Sequence, residues 1–240
     1  MSIEIYPSSD RGHASYGWLD TWHLFSFANY YNPLREKFGV LRVLNDDTIE
    51  GGTGFNEHPH ENMEIISIPL RGALEHHDSM GNTIVIREGE IQIMSAGTGI
   101  RHSEFNHSKT EKAEFLQIWI FPKVKNIVPR YDQKKFASPL PAGIIETYIS
   151  PDKNADTLWI NQDAWLSRAS LPAQAEIRYS LHSEVNGLFL FVISGEVSIE
   201  GNSLTKRDAI GITGIKDILL RASDHADVIL IEVPMETIRT

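Results

Sequence analysis

The stretch Gly52-Thr-Gly-Phe-Asn-Glu-His58-Pro-His60-Glu-Asn-Met-Glu64 decides how the rest of the chain is interpreted. His58 and His60 are separated by one residue, and alternate residues of a β-strand project to the same face. Both imidazoles can therefore point into one interior from a single strand. Because imidazole is a common protein ligand for metals, the stretch predicts a metal-binding strand inside a β-fold.

A second stretch has the same spacing of metal-binding side chains. It is Gly97-Thr-Gly99-Ile-Arg-His102-Ser-Glu104-Phe-Asn106. Together the two strands offer three imidazole nitrogens and one carboxylate oxygen. That donor set suits a divalent first-row metal and leaves positions for exogenous ligands when the ion takes more than four. The alternative is two incidental polar pairs on a β-surface, since a chain with 10 His in 240 residues contains about 0.4 His-x-His pairs by chance.

Composition limits the class of protein. Lys and Arg number 22 against 32 Asp and Glu, and the resulting charge of −10 argues against a nucleic-acid surface, which needs a basic patch. The chain has no Cys, which excludes disulfides, thiolate metal sites and cysteine nucleophiles. The first residues lack the basic and apolar regions of a signal peptide, and no apolar run is long enough to span a membrane. We therefore predict a cytoplasmic protein that binds neither nucleic acid nor membrane.

Short strands separated by turns fill the chain, which predicts an all-β fold. The order of strands and turns in the first half repeats in the second: residues 188–195 are similar to 64–72, and residues 227–234 are similar to 115–122. A repeat of this kind predicts two domains of one fold and not one large barrel. Residues 123–144, rich in proline, lysine and arginine, are predicted to be a linker with a short helix at 132–136.

The predicted domains are residues 1–122, with the metal site, and residues 145–240, without one. Alignment of the two repeats places different side chains at the four ligand positions of the second half: Leu181, Ser183, Arg221 and Ser223. The second domain is therefore predicted to be metal-free. Its apolar segment 188–191 is expected to lie in a core or between the domains.

Four segments of the sequence give the chain a resemblance to known proteins. The segments that carry it are Gly52-x5-His58-x-His60-x3-Glu64, Gly99-x2-His102-x3-Asn106, the hairpin His76-His77-Asp78-Ser-Met-Gly81-Asn82, and Thr21-Trp-His-Leu-Phe25-Ser-Phe27. The first two resemble the signature segments of the cupin barrel. All four are similar to the pirin family, especially its bacterial members with quercetin 2,3-dioxygenase activity. The resemblance is dense in the first half, looser in the second, and implies a bicupin: two antiparallel β-barrels (double-stranded β-helices) joined by a linker.

The resemblance also implies a ligand set. In pirins the ligands are the two histidines of His-Pro-His and the His and Glu of His-x-Glu, here His58, His60, His102 and Glu104. One divalent transition metal is expected, iron(II) first, with Mn, Co, Ni, Cu or Zn compatible with the same donors. Glu64 occupies the usual cupin glutamate position outside this set, where it either orients an imidazole N–H or is a buried or rim carboxylate with no role.

The activity implied by the resemblance is a flavonol-type dioxygenase. A small aromatic substrate and O2 are the expected partners, Glu104 is the predicted base for the substrate's 3-hydroxyl, and the products would be a depside and carbon monoxide. The alternative is a non-enzymatic metal-binding regulator or redox sensor that acts through a protein partner. A cavity that joins the metal to solvent favours the enzyme, and a sealed site favours the regulator.

Other polar and aromatic residues are given structural interpretations. His76 and His77 are adjacent and face opposite ways on a strand, so they are interpreted as hairpin residues and not as a chelating pair. His23 is expected to be a hydrogen-bonded core imidazole. Phe55 and Ile118 are predicted to line the cavity. Gln117 is predicted to pack in the barrel or lie at its surface, with a hydrogen bond to a ligand as the alternative.

Overall fold

The computed structural model describes residues 1–137 and 139–235. Apart from the 3-10 helix Ser8–Asp10, the regular structure in these ranges is β-strand. The strands before residue 137 are β1 (Ser2–Tyr6), β2 (Gly12–Ser15), β3 (Leu19–His23), β4 (Leu41–Ile49), β5 (Gly54–His60), β6 (Glu64–Arg71), β7 (Ala73–Asp78), β8 (Thr83–Arg87), β9 (Glu90–Ser95), β10 (Ile100–Asn106), β11 (Ala113–Ile120) and β12 (Arg130–Lys135). Those after it are β13 (Ile145–Ser150), β14 (Leu158–Trp159), β15 (Trp165–Leu171), β16 (Glu176–Ser180), β17 (Asn186–Ser194), β18 (Glu196–Ile199), β19 (Asn202–Thr205), β20 (Ala209–Thr213), β21 (Asp217–Ala222) and β22 (Ala226–Pro234).

Each half of the chain builds a sandwich of a seven-stranded and a four-stranded sheet. In the first, the order β12-β9-β6-β11-β4-β3-β2 packs on β5-β10-β7-β8; in the second, β1-β20-β17-β22-β15-β13-β14 packs on β16-β21-β18-β19. The prediction of an all-β, two-domain cupin fold is confirmed. Within the described residues, however, the two sheets of each sandwich are hydrogen-bonded separately, so neither forms a closed barrel.

The two large sheets pack against each other through a shared apolar core. Ile66 and Leu116 of the first sandwich lie in the same cluster as Phe189 and Phe191 of the second. On β17, Phe189 and Phe191 face this shared core, while the alternate residues Leu188 and Leu190 face the interior of their own sandwich. A strand buried on both faces has no polar alternation, which explains its continuous apolar sequence. The expectation for 188–191 is confirmed on both faces.

Two strands have partners that the predicted domain bounds did not anticipate. Strand β1 pairs with β20 of the second sandwich, from Ser2 opposite Thr213 to Tyr6 opposite Ala209. Strand β12, inside the predicted linker, extends the first sandwich by pairing with β9. The helix predicted at 132–136 is therefore wrong, because an open sheet edge recruits this segment as a strand. The predicted bounds 1–122, 123–144 and 145–240 remain a prediction, to which the structure adds these two strand pairings.

No helix in residues 1–137 and 139–235 is long and apolar enough to cross a membrane. The cellular compartment predicted from the sequence remains a prediction.

Candidate metal centre

Strands β5 and β10 bring the predicted ligands together. They pair antiparallel with His58 opposite His102 and His60 opposite Ile100. Strand β5 is at the edge of its sheet, where Pro59 does not interrupt a central ladder. The register shifts between His102 and Glu104, with an extra residue in β5. A bulge of this kind redirects side chains near functional sites.

The three predicted imidazoles converge. Ring centroids are 4.8 Å apart for His58 and His60, 4.5 Å for His58 and His102, and 4.9 Å for His60 and His102. One nitrogen from each lies within 4.8 Å of the other two. Three nitrogens at this separation can bind a single ion, so the geometry agrees with the spacing of the sequence.

The environment of the rings fits a divalent metal. Among the described residues, His102 Nε2 is buried without a hydrogen-bond partner, a costly state for a nitrogen unless a ligand occupies it. His58 Nδ1 donates to the Asn56 carbonyl oxygen at 2.7 Å, which leaves Nε2 with a free lone pair. Burial, with the neighbouring imidazoles, lowers the pKa of His60 and of His102 to about 3. Both rings are therefore neutral near pH 7, the state in which histidine binds metal.

Glu104 is buried beside His102 and held by three hydrogen bonds. Its Oε1 accepts from Ser67 Oγ at 2.9 Å and from Gln92 Nε2 at 3.3 Å, and its Oε2 accepts from Gln117 Nε2 at 2.8 Å. Its carboxylate lies within 4.8 Å of nitrogens of His76 and His102, in a group that does not include His58 and His60. Its role as fourth ligand remains a prediction.

The hydrogen-bond donors to Glu104 were missed or misread in the sequence. Gln117 is buried inside the sandwich, but its hydrogen bond to Glu104 was not predicted, and Ser67 and Gln92 were not singled out. A signal was present, since each is a lone polar residue on an inward position of an apolar strand, as in Ile-Ile-Ser67-Ile and Ile-Gln92-Ile. A buried polar side chain needs a partner, and here the shared partner is Glu104.

A cavity of about 230 Å³ lies over the cluster. Its lining residues are Phe27, Asn45, Asp47, Phe55, His58, His60, Ile65, His102, Glu104, Gln117 and Trp119. The cavity is not sealed, because His58 and His60 keep partial solvent exposure. The prediction for Phe55 is confirmed. That for Ile118 is wrong, since its side chain points from β11 into the core between the sandwiches.

The cavity wall also includes a carboxylic acid, Asp47, which no motif in the sequence indicated. Asp47 is fully buried, and burial raises its pKa to about 7 although the Thr21 hydroxyl donates to it. Asn45 lies two residues away on the same face of β4, and its Oδ1 is 2.9 Å from His23 Nδ1. The expectation that His23 is a hydrogen-bonded core imidazole is confirmed.

Glu64 is buried, and its hydrogen bonds differ from both alternatives considered for it. Its Oε2 accepts from Ser95 Oγ at 2.8 Å and from the Asn161 backbone N–H at 3.2 Å. No imidazole is among its hydrogen-bond partners in the described residues. Glu64 therefore links the first sandwich to a loop of the second.

The hairpin histidines face opposite ways, as expected. His77 points outward and is 2.7 Å from Glu75 Oε1. His76 is fully buried, and its Nδ1 lies 3.5 Å from His102 Nδ1. Its interpretation as a simple hairpin residue missed this contact, because the contact depends on the pairing of β7 with β10.

Within the described residues, both groups of side chains able to hold a metal lie in the first sandwich. A metal-free second domain remains a prediction.

Fold and site together define a class: a two-domain cupin-type protein with a histidine-rich candidate metal centre in its N-terminal sandwich. Sequence models agree, since the pirin model matches residues 6–120 and a model of the quercetinase C-terminal cupin domain matches residues 147–233. The chain belongs to the pirin family.

Relatives span the whole chain. A quercetin 2,3-dioxygenase of Escherichia coli K12 is 42% identical over 232 residues, which cover 97% of this chain and 99% of the relative. A pirin-like protein of Caulobacter vibrioides is 38% identical over 231 residues, covering 96% and 99%. The crystal structure of the E. coli pirin YhhW in complex with nickel(II) superposes with a TM-score of 0.92 at 42% identity, covering 97% and 99%.

Proposed function

We propose that this protein is a metal-dependent dioxygenase that cleaves flavonols such as quercetin with O2. The observation that carries the proposal is the cluster of three imidazoles at the base of a partly open, largely aromatic cavity. Relatives named quercetin 2,3-dioxygenase, 42% identical over nearly the full length, support the same substrate class.

The proposed ligands are His58, His60, His102 and Glu104, and the proposed ion is iron(II). The donor set equally accepts Mn, Co, Ni, Cu or Zn, and a related pirin has been crystallised with nickel(II). A bound divalent ion would supply Lewis acidity toward the flavonol 3-hydroxyl and would bring O2 and the substrate together.

The cavity walls suit a flat, hydroxylated ring system. Phe27, Phe55 and Trp119 present aromatic surfaces, and the buried Trp119 Nε1 has no partner among the described residues, so it is free to donate to a substrate oxygen. Asn45 and Asp47 supply polar contacts for ring hydroxyls on the wall formed by β4. The aromatic walls of the cavity limit the access of water to the reacting atoms.

Glu104 is the proposed base. It would take the proton of the 3-hydroxyl, since a carboxylate beside His102 faces the same cavity. The resulting electron-rich enolate would add both atoms of O2. The ring carbon that bears the 3-oxygen would leave with that oxygen as carbon monoxide, the remainder would become a depside, and Glu104 would return its proton to the carboxylate of the depside.

The test combines metal analysis with turnover. We expect about one ion per chain after anaerobic loading with iron(II) or nickel(II), and O2 uptake with carbon monoxide release when quercetin is added. His58→Ala should lower metal content and turnover together, because it removes a nitrogen donor. His13→Ala, an exposed histidine that does not line the cavity, is the matched control and should behave as wild type.

The alternative is a metal-binding regulator that acts through a protein partner. A metal-loaded protein that consumes no O2 with any flavonol would reject the enzyme and favour this alternative. Two tightly bound ions per chain would contradict the single site.

A further inference from the structure

His102 presents its two ring nitrogens to different neighbours. Its Nδ1 is 3.5 Å from His76 Nδ1, and its Nε2 is buried without a partner in the described part of the chain. Two nitrogens at hydrogen-bond distance need one proton between them. The state of His76 therefore decides which nitrogen of His102 carries hydrogen and which keeps a lone pair.

Asp78 fixes the proton on His76. Asp78 Oδ2 lies 3.0 Å from His76 Nε2, and both side chains have 0% exposure. The other contacts of this carboxylate are also donors: the Met80 and Asn82 amides reach Oδ1 at 2.9 and 3.1 Å, and Asn82 Nδ2 reaches Oδ2 at 2.8 Å. A carboxylate surrounded by donors only accepts, so His76 Nε2 carries a hydrogen, and the uncharged form of His76 then has its lone pair at Nδ1.

The hydrogen on His76 Nε2 determines the tautomer of His102. With hydrogen on Nε2, His76 offers a lone pair at Nδ1 and accepts from His102 Nδ1–H. His102 then has a lone pair at Nε2. His58 is in the same state for a different reason, since its Nδ1–H donates to the Asn56 carbonyl.

We propose that Asp78 and His76 are positioning residues that hold His102 in the Nδ1–H tautomer, and so raise the affinity of the histidine cluster for a divalent metal. The inference rests on the metal site of the proposed function. Partners of this kind on ligand histidines are worth about 10- to 100-fold in metal affinity.

Strand geometry explains why these residues meet. His76 and Asp78 lie at i and i+2 on β7, so both face inward, and β7 pairs with β10 so that Asp78 is opposite His102. Tyr131 of β12 packs on the outer side of His76, with ring centroids 4.7 Å apart. The ring of His76 is thus held between His102 and Tyr131.

His76, His102 and Glu104 also form a group with metal-binding geometry. An ion there would need the lone pair of His76 Nδ1 that the proposed hydrogen bond uses. The proposal therefore expects one ion per chain, and a second ion lost in a His76 variant would overturn it.

The first test is nitrogen NMR of isotope-labelled histidine in the metal-free protein. Wild-type His102 should show the Nδ1–H tautomer, which is not the one a free histidine side chain prefers. In His76→Phe, which keeps an aromatic ring against Tyr131, His102 should leave that tautomer. Nε2–H on wild-type His102 would overturn the proposal, and this measurement needs no variant to fold.

The second test is the dissociation constant for Ni²⁺, measured by competition with a chelator. We expect His76→Phe to bind Ni²⁺ about 10- to 100-fold more weakly than wild type. His77→Phe is the matched control: the same change on the next residue, on the outward face, should leave the constant unchanged. Asp78→Asn should weaken Ni²⁺ binding. An amide nitrogen in place of Oδ2 would donate to His76 Nε2, so the hydrogen of His76 would move to Nδ1, which faces His102.

Equal Ni²⁺ affinity in wild type and His76→Phe would overturn the positioning role of His76 and would leave the proposed dioxygenase activity unaffected. Failure of the proposed function has a different signature: the wild type itself would bind no metal, or would bind Ni²⁺ or iron(II) and consume no O2 with quercetin.

Discussion

Glu104 is surrounded by donors, and this defines what its carboxylate can do. Ser67, Gln92 and Gln117 together occupy both oxygens, which keeps the group oriented beside His102. Its two proposed roles, as a ligand and as a base, make different demands on the same oxygens and can be separated by one substitution.

Glu104→Gln is expected to keep appreciable metal and to lose most O2 uptake with quercetin, by about 100-fold or more. The amide keeps the shape and one oxygen donor but does not accept a proton as a base, and Gln117 can rotate its own amide to match. Metal content and O2 uptake are measured on the same samples. Full metal with near-wild-type turnover would remove Glu104 from the mechanism, and loss of metal with turnover would leave it a ligand only.

Glu64 predicts a pH dependence of stability. Burial raises its pKa from 4.5 to about 7, so between these values the folded protein binds a proton that the unfolded chain has released. Stability contributed at this site therefore falls as pH rises through that window, by on the order of 3 kcal/mol.

Glu64→Gln removes this dependence, because the amide does not titrate. Relative to wild type, the variant should gain free energy of unfolding between pH 4.5 and pH 8, as measured by denaturant titration at both values. A difference between wild type and variant that is the same at both pH values would show that Glu64 is not buried as a proton-binding group.

Among the described strands, β1 has the partner that is most distant in sequence, β20. Tyr6 at its end is 2% exposed, and its ring packs on Phe25 at 5.9 Å and on Phe189 at 5.2 Å. The strand therefore joins the first residues of the chain to the core between the two sandwiches.

Tyr6→Ala should destabilise the protein by about 3–5 kcal/mol, the usual cost of removing a buried aromatic ring. Ile5→Ala is the matched control, since Ile5 lies on the same strand with 41% exposure and should cost far less. Chemical denaturation of the two variants compares them directly. Similar losses in both would mean that the ring of Tyr6 contributes nothing beyond strand pairing.

The sequence predicted features that depend on local spacing. The i, i+2 positions of His58 and His60 placed both rings on one face, and the repeated order of strands predicted two domains. Features that depend on pairing between distant strands were not predictable in this way: β12 joins β9 in the predicted linker, and His76 reaches His102 through the register of β7 and β10. Periodicity predicts which face of its own strand a side chain occupies, but it does not predict which side chains of a neighbouring strand will contact it.

At the scale of the whole molecule, the two sandwiches share one apolar interface. Ile66, Leu116 and Ile118 would be uncovered if Phe189 and Phe191 were removed with the second half. Large exposed apolar patches promote aggregation.

A fragment of residues 1–122 is therefore expected to be aggregated or unfolded and to bind little metal, although it contains all four proposed ligands. It also lacks β12 and leaves β1 without β20. Size-exclusion chromatography and metal analysis check this against the full chain. A soluble fragment with full metal content and activity would show that the second sandwich is dispensable.

The pairing of β1 with β20 also has a consequence for synthesis on the ribosome. The Ser8 amide donates to an Asp208 oxygen across a sequence separation of 200 residues. At about 5–20 residues per second, translation delays that contact by roughly 10–40 s. During this interval Tyr6 and its strand have emerged but have no partner. The nascent chain therefore carries β1 without its strand partner until β20 has been synthesised.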